Sequence, residues 1–260
     1  MFLPCKNETK KHVTLVNLRV SNSYTFLDKV LAWSVHLFTA SGLLVGFMAI
    51  LAITDKNWRT AMAWLLVCLF IDGVDGTLAR KFRVKDVLPN ISGKMIDNVI
   101  DFATYAVIPA YFFYAAELVN PAWNLPLTFL ILLVSSIYYG KEGMISDDFY
   151  FIGFPVMRNI VVFYLVFVFF APSWFNAAII IIFSILHFVP IKFAYPSRAT
   201  RLRGLTITFT LGIMIILPLV VWFYPDVPTL LRWVAVGNLA YFGILAAMDT
   251  LGKPRLIKSP

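Results

Sequence analysis

Apolar runs of near-membrane length follow one another along almost the whole chain, separated by short polar or proline-bearing breaks. Eight such runs fall at about 31–52, 60–79, 94–114, 123–139, 155–171, 174–189, 205–224 and 230–251. Each carries few charges, and the pattern predicts helices that cross a bilayer. The fourth, fifth and sixth are the shortest. Turn chemistry marks the breaks: Asn120-Pro121, Ala171-Pro172-Ser173 and Pro225-Asp226-Val227-Pro228. Pro109 and Pro218 lie inside runs and predict kinks. Tyr24 to Lys29 reads as an amphipathic interfacial lead-in. The predicted fold is all-α, a polytopic transmembrane bundle of about eight spans. Residues 1–30 form a cytoplasmic or interfacial segment, 31–252 the membrane domain and 253–260 a cytoplasmic tail.

Composition agrees with this class. The 260 residues are 60% hydrophobic and only 14% charged, with a mean hydropathy of +0.80. The first two dozen residues are polar and basic and predict no cleavable signal peptide. Two cysteines, Cys5 and Cys68, make no disulfide framework, and Cys68 reads as packing. No internal repeat or low-complexity tract is present.

The net charge of +8 would suggest nucleic acid in a soluble protein. Here it sorts by side of the membrane. With both termini cytoplasmic, the inner side collects Lys6, Lys10, Lys11, Arg19, Lys29, Arg80, Lys81, Arg83, Lys85 and Lys94. It also collects Lys141, Arg158, Lys192, Arg198, Arg201, Arg203, Lys253, Arg255 and Lys258, and only Lys56, Arg59 and Arg232 stay outside. The expectation is no nucleic-acid partner.

Against this apolar background stand four aspartates. One segment reads Asp72-Gly-Val-Asp75-Gly76-Thr-Leu-Ala79-Arg80, and a second reads Gly93-Lys-Met-Ile-Asp97-Asn-Val-Ile-Asp101. Intramembrane carboxylates are costly and usually functional. Offsets of 0, 3, 4 and 7 put Asp72, Asp75, Gly76 and Ala79 on one helix stripe. Offsets of 0, 4 and 8 do the same for Gly93, Asp97 and Asp101. Facing stripes would bring four carboxylates together, and hard divalent cations are their natural partners. Gly76, Ala79 and Gly93 leave room for a ligand, and the Arg80 fork suits a phosphate. Such a site fits phosphoryl transfer, with one carboxylate free to act as general base. The bland alternative is acids that cap helices or pair with Arg80, Lys81 and Lys94. A reading of another class is an ion-coupled transporter, but these acids cluster toward one face and have no second copy.

The two segments resemble the signature of the CDP-alcohol phosphotransferase family, D-x2-D-G-x2-A-R followed by G-x3-D-x3-D. The spacer from Lys81 to Ser92 is longer than usual and is similar to that of the bacterial phosphatidylcholine synthase branch. So are His36-Leu-Phe-Thr39-Ala-Ser41-Gly42, Asp101-Phe-Ala-Thr-Tyr105 with Pro109-Ala-Tyr111, Gly153-Phe-Pro155 with Asn159, and Lys192-Phe with Pro196 and Arg198. The resemblance implies transfer of a phosphatidyl group from CDP-diacylglycerol to choline with release of CMP, in a bacterial inner membrane, by a homodimer with its site toward the cytoplasm. It implies Asp72, Asp75, Asp97 and Asp101 as ligands of Mn2+ or Mg2+, with Asp101 also the general base. Thr39, Gly76, Ala79, Arg80 and Gly93 join Asp72 and Asp75 as contacts of CDP-diacylglycerol.

Choline is best held by aromatic faces. Tyr105, one turn past Asp101, is the first candidate, followed by Tyr111 and His36. Phe149, Tyr150, Phe151 and Trp174 are weaker ones. Other acceptors remain open: serine, or glycerol 3-phosphate or inositol phosphate held by Lys192, Arg198, Arg201 and Arg203. Asp147 and Asp148 read as solvated, as does His12, and His187 as a hydrogen-bonded helix contact.

Overall fold

A computed structural model describes residues 24–141, 150–194 and 202–251. The first described element is a helical hairpin. Thr25 and Asp28 form a reciprocal capping box that starts α1 (Phe26–Thr54). Tyr24 to Lys29 is therefore no separate lead-in: the cap makes Phe26 onward the first turn of the same helix. A tight turn through Lys56, with φ of 55°, leads to Asn57, which caps α2 (Trp58–Lys81).

The short α3 (Val84–Val87) lies in the basic spacer. Ser92 then caps α4 (Gly93–Asp101), which runs through a π-helical stretch (Phe102–Val107) into α5 (Ile108–Ala115). The π register has a local cause. Pro109 has no N–H to bond the carbonyl four residues back, and the Ile108 N–H reaches to Ala103 instead. The kink predicted at Pro109 is thus taken up by a widened turn.

Asn120 caps α6 (Pro121–Tyr139). After it come β1 (Tyr150–Ile152), α7 (Arg158–Phe163) with a second π stretch (Tyr164–Phe169), α8 (Ser173–Leu186), β2 (Lys192–Ala194), α9 (Arg203–Phe223) and α10 (Thr229–Leu251). The two strands pair antiparallel, with Phe151 opposite Phe193. This ribbon corrects the all-α expectation to a nearly all-α fold. Alternation is too short there to register beside the long apolar runs.

Among the described residues five helices are long and apolar enough to cross a membrane: α1, α2, α6, α9 and α10. The surface supports that reading, because large apolar side chains point outward: Leu44 is 71% exposed and Ile215 62%. The inside is packed tightly through small residues. A Cβ on Gly46 of α1 would come within 2.8 Å of Ile108, and one on Gly42 within 3.1 Å of Ile100. These close approaches hold α4 and α5 against α1, so the second aspartate segment faces the first.

Arg158, counted above among the inner-side cations, is fully buried at the start of α7. Its Nη2 donates to Ser184 Oγ at 3.0 Å and stands 3.0 Å from His187 Nε2. The His187 Nδ1 meets the Phe154 carbonyl, so this histidine is a helix contact as expected.

Candidate active site

The α1–α2 hairpin and α4 enclose a small cavity. Its walls are Thr39 and Gly42 of α1, Cys68, Ile71, Asp72 and Asp75 of α2, and Asp97, Ile100 and Asp101 of α4, closed by Thr104. Asp72, Asp97 and Asp101 each present a carboxylate oxygen so that all three lie within 4.8 Å of one another. Asp75 lines the same cavity but stands outside this triad, and it is the most buried of the four.

Electrostatics decides what such a cluster is for. Two unit charges about 5 Å apart repel by about 3 kcal/mol at an effective dielectric of about 20. Three carboxylates at that spacing are unfavourable unless a cation joins them. Among the described residues no salt bridge joins Asp72, Asp97 or Asp101 to Arg80, Lys81 or Lys94, and Arg80 is felt only by Asp75. The donor set is all oxygen, half-buried and convergent, which fits a hard divalent metal.

Tyr105 gives the triad its fixed geometry. Its hydroxyl donates to Asp72 Oδ2 at 2.6 Å, and its ring is buried among Ala106, Tyr138 and Val156. It therefore touches the site through a carboxylate and does not present an open face as an aromatic cage would. Replacing Tyr105 by Phe keeps the packing and removes the bond. Metal affinity is expected to fall about 10–100-fold, the usual effect of losing a ligand's supporting hydrogen bond. A metal-binding titration reads it, and an unchanged titration would reject the supporting role.

The remaining candidates separate. His36 of α1 is buried and lies against Gly93: a Cβ there would be 3.2 Å from His36 Cε1. The glycine thus makes room for the imidazole, and His36 Nε2 has no hydrogen-bond partner. Arg80 is exposed, with Nη2 donating to Thr77 Oγ1 at 3.0 Å and Nη1 3.5 Å from where a Gly76 Cβ would be. Gly76 accordingly leaves space that the Arg80 guanidinium crosses. Ala79 packs on the Ala32, Val35, Val84 and Val87 cluster rather than on the cavity.

Tyr111 is a correction. Its hydroxyl lies 3.2 Å from Thr54 Oγ1 at the C-terminal end of α1, fifteen residues and about 22 Å along the helix from Thr39. Helix length alone removes it from the site. Trp174 is likewise at that far end, 71% exposed beside Ser173, whose Oγ accepts from the Asn120 N–H. Lys192 Nζ covers the Tyr150 ring at 5.2 Å, and Phe151 lies in the ribbon. Phe149, Asp147, Asp148, Arg198, Arg201, His12 and Cys5 lie outside the described residues. Sequence reasoning missed Tyr139, at the end of α6. It stands within electrostatic range of Asp101, Asp72 and Asp97, and its ring meets Phe102 edge-on at 5.5 Å. Nothing in the local pattern distinguishes it from the other aromatics. Cys68, read as packing, is buried and donates to the Gly42 carbonyl at 3.5 Å, yet it also forms part of the cavity wall.

Fold and site together define a multi-pass membrane protein with a metal-competent carboxylate cluster on adjacent helices. Residues 35–140, which contain the whole cluster, match the family model of CDP-alcohol phosphatidyltransferase. Relatives extend the likeness along the chain. The chain is 38% identical to a phosphatidylcholine synthase of Pseudomonas aeruginosa over 226 residues, 86% of this chain and 93% of that protein. It is 38% identical to one of Rhizobium meliloti over 82% of this chain and 86% of that protein. With one of Mesorhizobium japonicum it shares 42% identity over 69% and 67%. The chain belongs to the CDP-alcohol phosphatidyltransferase family, whose members are enzymes and generally depend on a divalent metal.

Proposed function

We propose that the protein transfers the phosphatidyl group of CDP-diacylglycerol to choline, forming phosphatidylcholine and CMP. The observation that carries this reading is the convergence of Asp72, Asp97 and Asp101 on one cavity in a chain so similar, end to end, to phosphatidylcholine synthases. Asp72, Asp75, Asp97 and Asp101 hold Mn2+ or Mg2+. When bound, the metal offsets the charge of the donor's diphosphate. Arg80, beside Gly76, takes a phosphate oxygen of the donor, and Thr39, Gly93 and His36 border the nucleotide end.

Asp101 accepts the proton of the choline hydroxyl. The freed oxygen bonds to the phosphorus that carries diacylglycerol. The bond from that phosphorus to the bridging oxygen breaks, and CMP leaves with that oxygen. Tyr105 keeps Asp72 in place throughout. A quaternary ammonium donates no hydrogen bond and needs aromatic faces. Phe102, next to Asp101, and Tyr139 supply them, the roles first expected of Tyr105 and Tyr111.

The wider reading is a homodimer of eight-span subunits, with residues 31–252 in the bacterial inner membrane and both termini in the cytoplasm. The three segments added to the five long helices are the α4–α5 rod, α7 with its π stretch, and α8. The lysine and arginine bias supports the orientation.

Purified protein given CDP-diacylglycerol and Mn2+ should form product with choline and not with serine, glycerol 3-phosphate or inositol phosphate. Turnover only with a phosphorylated acceptor would reject choline and turn attention to Lys192 and Arg203. In the same assay Asp97→Ala should lose metal-dependent binding of CDP-diacylglycerol, and near-wild-type binding would overturn the ligand assignment.

A further inference from the structure

The basic spacer between the two aspartate segments is a packed, hydrogen-bonded element. The Asp86 and Val87 N–H groups donate to the Arg83 carbonyl at 2.9 and 3.1 Å, that of Leu88 to Val84 at 2.8 Å and that of Ile91 to Leu88 at 3.1 Å. Val84 and Val87, three apart on α3, are buried against Ala32 and Val35 of α1, with Phe82 and Leu88 packed at the edge. This apolar anchor fixes which way α3 faces. It leaves Lys81, Arg83 and Lys85 exposed, as is Lys94 at the start of α4. Charges that only orient a chain act from any short loop near a span. They need no anchor of this kind.

The neighbouring groups leave the surface positive. Lys81 Nζ leans over the Phe82 ring at 5.7 Å. Arg83 stands within electrostatic range of Asp28, whose Oδ2 already accepts from Thr25. Asp86 is the one acid on α3. Among the described residues no salt bridge joins Lys81, Lys85 or Lys94 to an acid. Depth decides what these cations meet. α1 has 29 residues and is about 43 Å long, whereas the hydrocarbon core of a bilayer is about 30 Å thick. Counted back from Thr54, about 20 helical residues cross that core. They reach Val35, on which α3 packs. Trp33, half-exposed two residues earlier, suits the same boundary. The spacer therefore lies at the level of the lipid headgroups, where each lysine or arginine favours anionic lipid by about fivefold.

We propose that α3 and its flanks form a binding surface for the headgroups of anionic phospholipids, with Lys81, Arg83, Lys85 and Lys94 as its cations. The surface is separate from the aspartates and from Arg80. It holds its lipid whether or not a donor occupies the site.

The test mixes the purified full chain, in a neutral detergent, with phosphatidylglycerol and phosphatidylcholine at equal mole fraction. Lipid retained after gel filtration is quantified by mass spectrometry. At about 0.1 M salt an excess of phosphatidylglycerol of about tenfold is expected. It should vanish at about 1 M, where the screening length falls from about 10 Å to about 3 Å. Lys81→Gln, Arg83→Gln and Lys85→Gln combined should cut the excess about fivefold or more. Lys56→Gln with Arg59→Gln, exposed cations at the far end of the α1–α2 hairpin, should leave it unchanged. Equal retention of the two lipids overturns the proposal. So does an excess that survives high salt or the triple substitution, or an equal loss in the Lys56 and Arg59 pair. The salt comparison uses the unmutated chain, so it decides even where the triple variant does not accumulate. CMP release on the same samples separates the two readings. CMP release without the lipid excess rejects this surface alone, and the excess without CMP release rejects the transfer reading alone.

Discussion

Asp101→Asn is expected to lower phosphatidyl transfer by about 10²–10⁴-fold, the range of a lost general base, while CDP-diacylglycerol binding changes only a few-fold. The two effects separate because the substitution is nearly isosteric. The amide fills the place of the carboxylate, and Ile100 keeps its contact with Gly42. Asp72 and Asp97 still present their oxygens to the metal, and Tyr105 still anchors Asp72. What disappears is an oxygen able to take the proton of the attacking hydroxyl. CMP release measures the first effect, and binding of the labelled donor measures the second. Loss of binding together with turnover would move Asp101 from base to metal ligand alone.

Gly153→Ala should prevent accumulation of folded protein, although the change lies outside the aspartate site. Gly153 has a φ of 90°, and a Cβ built on it would stand 2.1 Å from the His187 carbonyl oxygen, 2.9 Å from its carbon and 3.3 Å from the Leu186 oxygen. These are backbone atoms and cannot rotate away. The junction is also tied by hydrogen bonds: Gly153 N–H donates to Ile191 and Phe154 N–H to Leu186, both at 2.9 Å. Making room would pull β1 from the end of α8 and disturb the His187–Arg158 contact. A cost above about 4 kcal/mol is expected, in the class of strain at a special backbone conformation. Gly243→Ala in α10 is the control. Nothing lies within 4 Å of its added Cβ, so it should be neutral or stabilising by up to about 1 kcal/mol. The yield of folded protein decides the matter, and a Gly153→Ala variant that accumulates and melts within about three degrees of wild type would refute the clash.

The same geometry bears on the transporter alternative. A conduction path needs polar groups in series through the bilayer. Here Asp72, Asp97 and Asp101 converge on one point, and a cavity beside Trp58, about 21 Å away along α2, is lined mainly by apolar residues such as Leu165, Val166 and Phe170. That is the arrangement of a reaction site and not of a route.

The apolar runs by themselves determined the helices, because burial in lipid forces the backbone to satisfy its own hydrogen bonds, and a helix is the local way to do so. Helical periodicity also determined that Asp97 and Asp101 share a face, as Asp72 and Asp75 do. Side chains at these spacings have no other option within one helix. What periodicity could not reach was anything set by contacts between helices. Only the packed structure placed Asp72 with Asp97 and Asp101 and left Asp75 beside them, since that depends on how closely Gly42 and Gly46 let α4 and α5 approach α1. Only it turned the Tyr105 hydroxyl onto Asp72, brought Tyr139 near the acids, carried Tyr111 to the far end and buried Arg158. In a chain with 24 Phe, 11 Tyr and 7 Trp, residue type says little about role. The neighbour that each ring meets is a property of the tertiary fold.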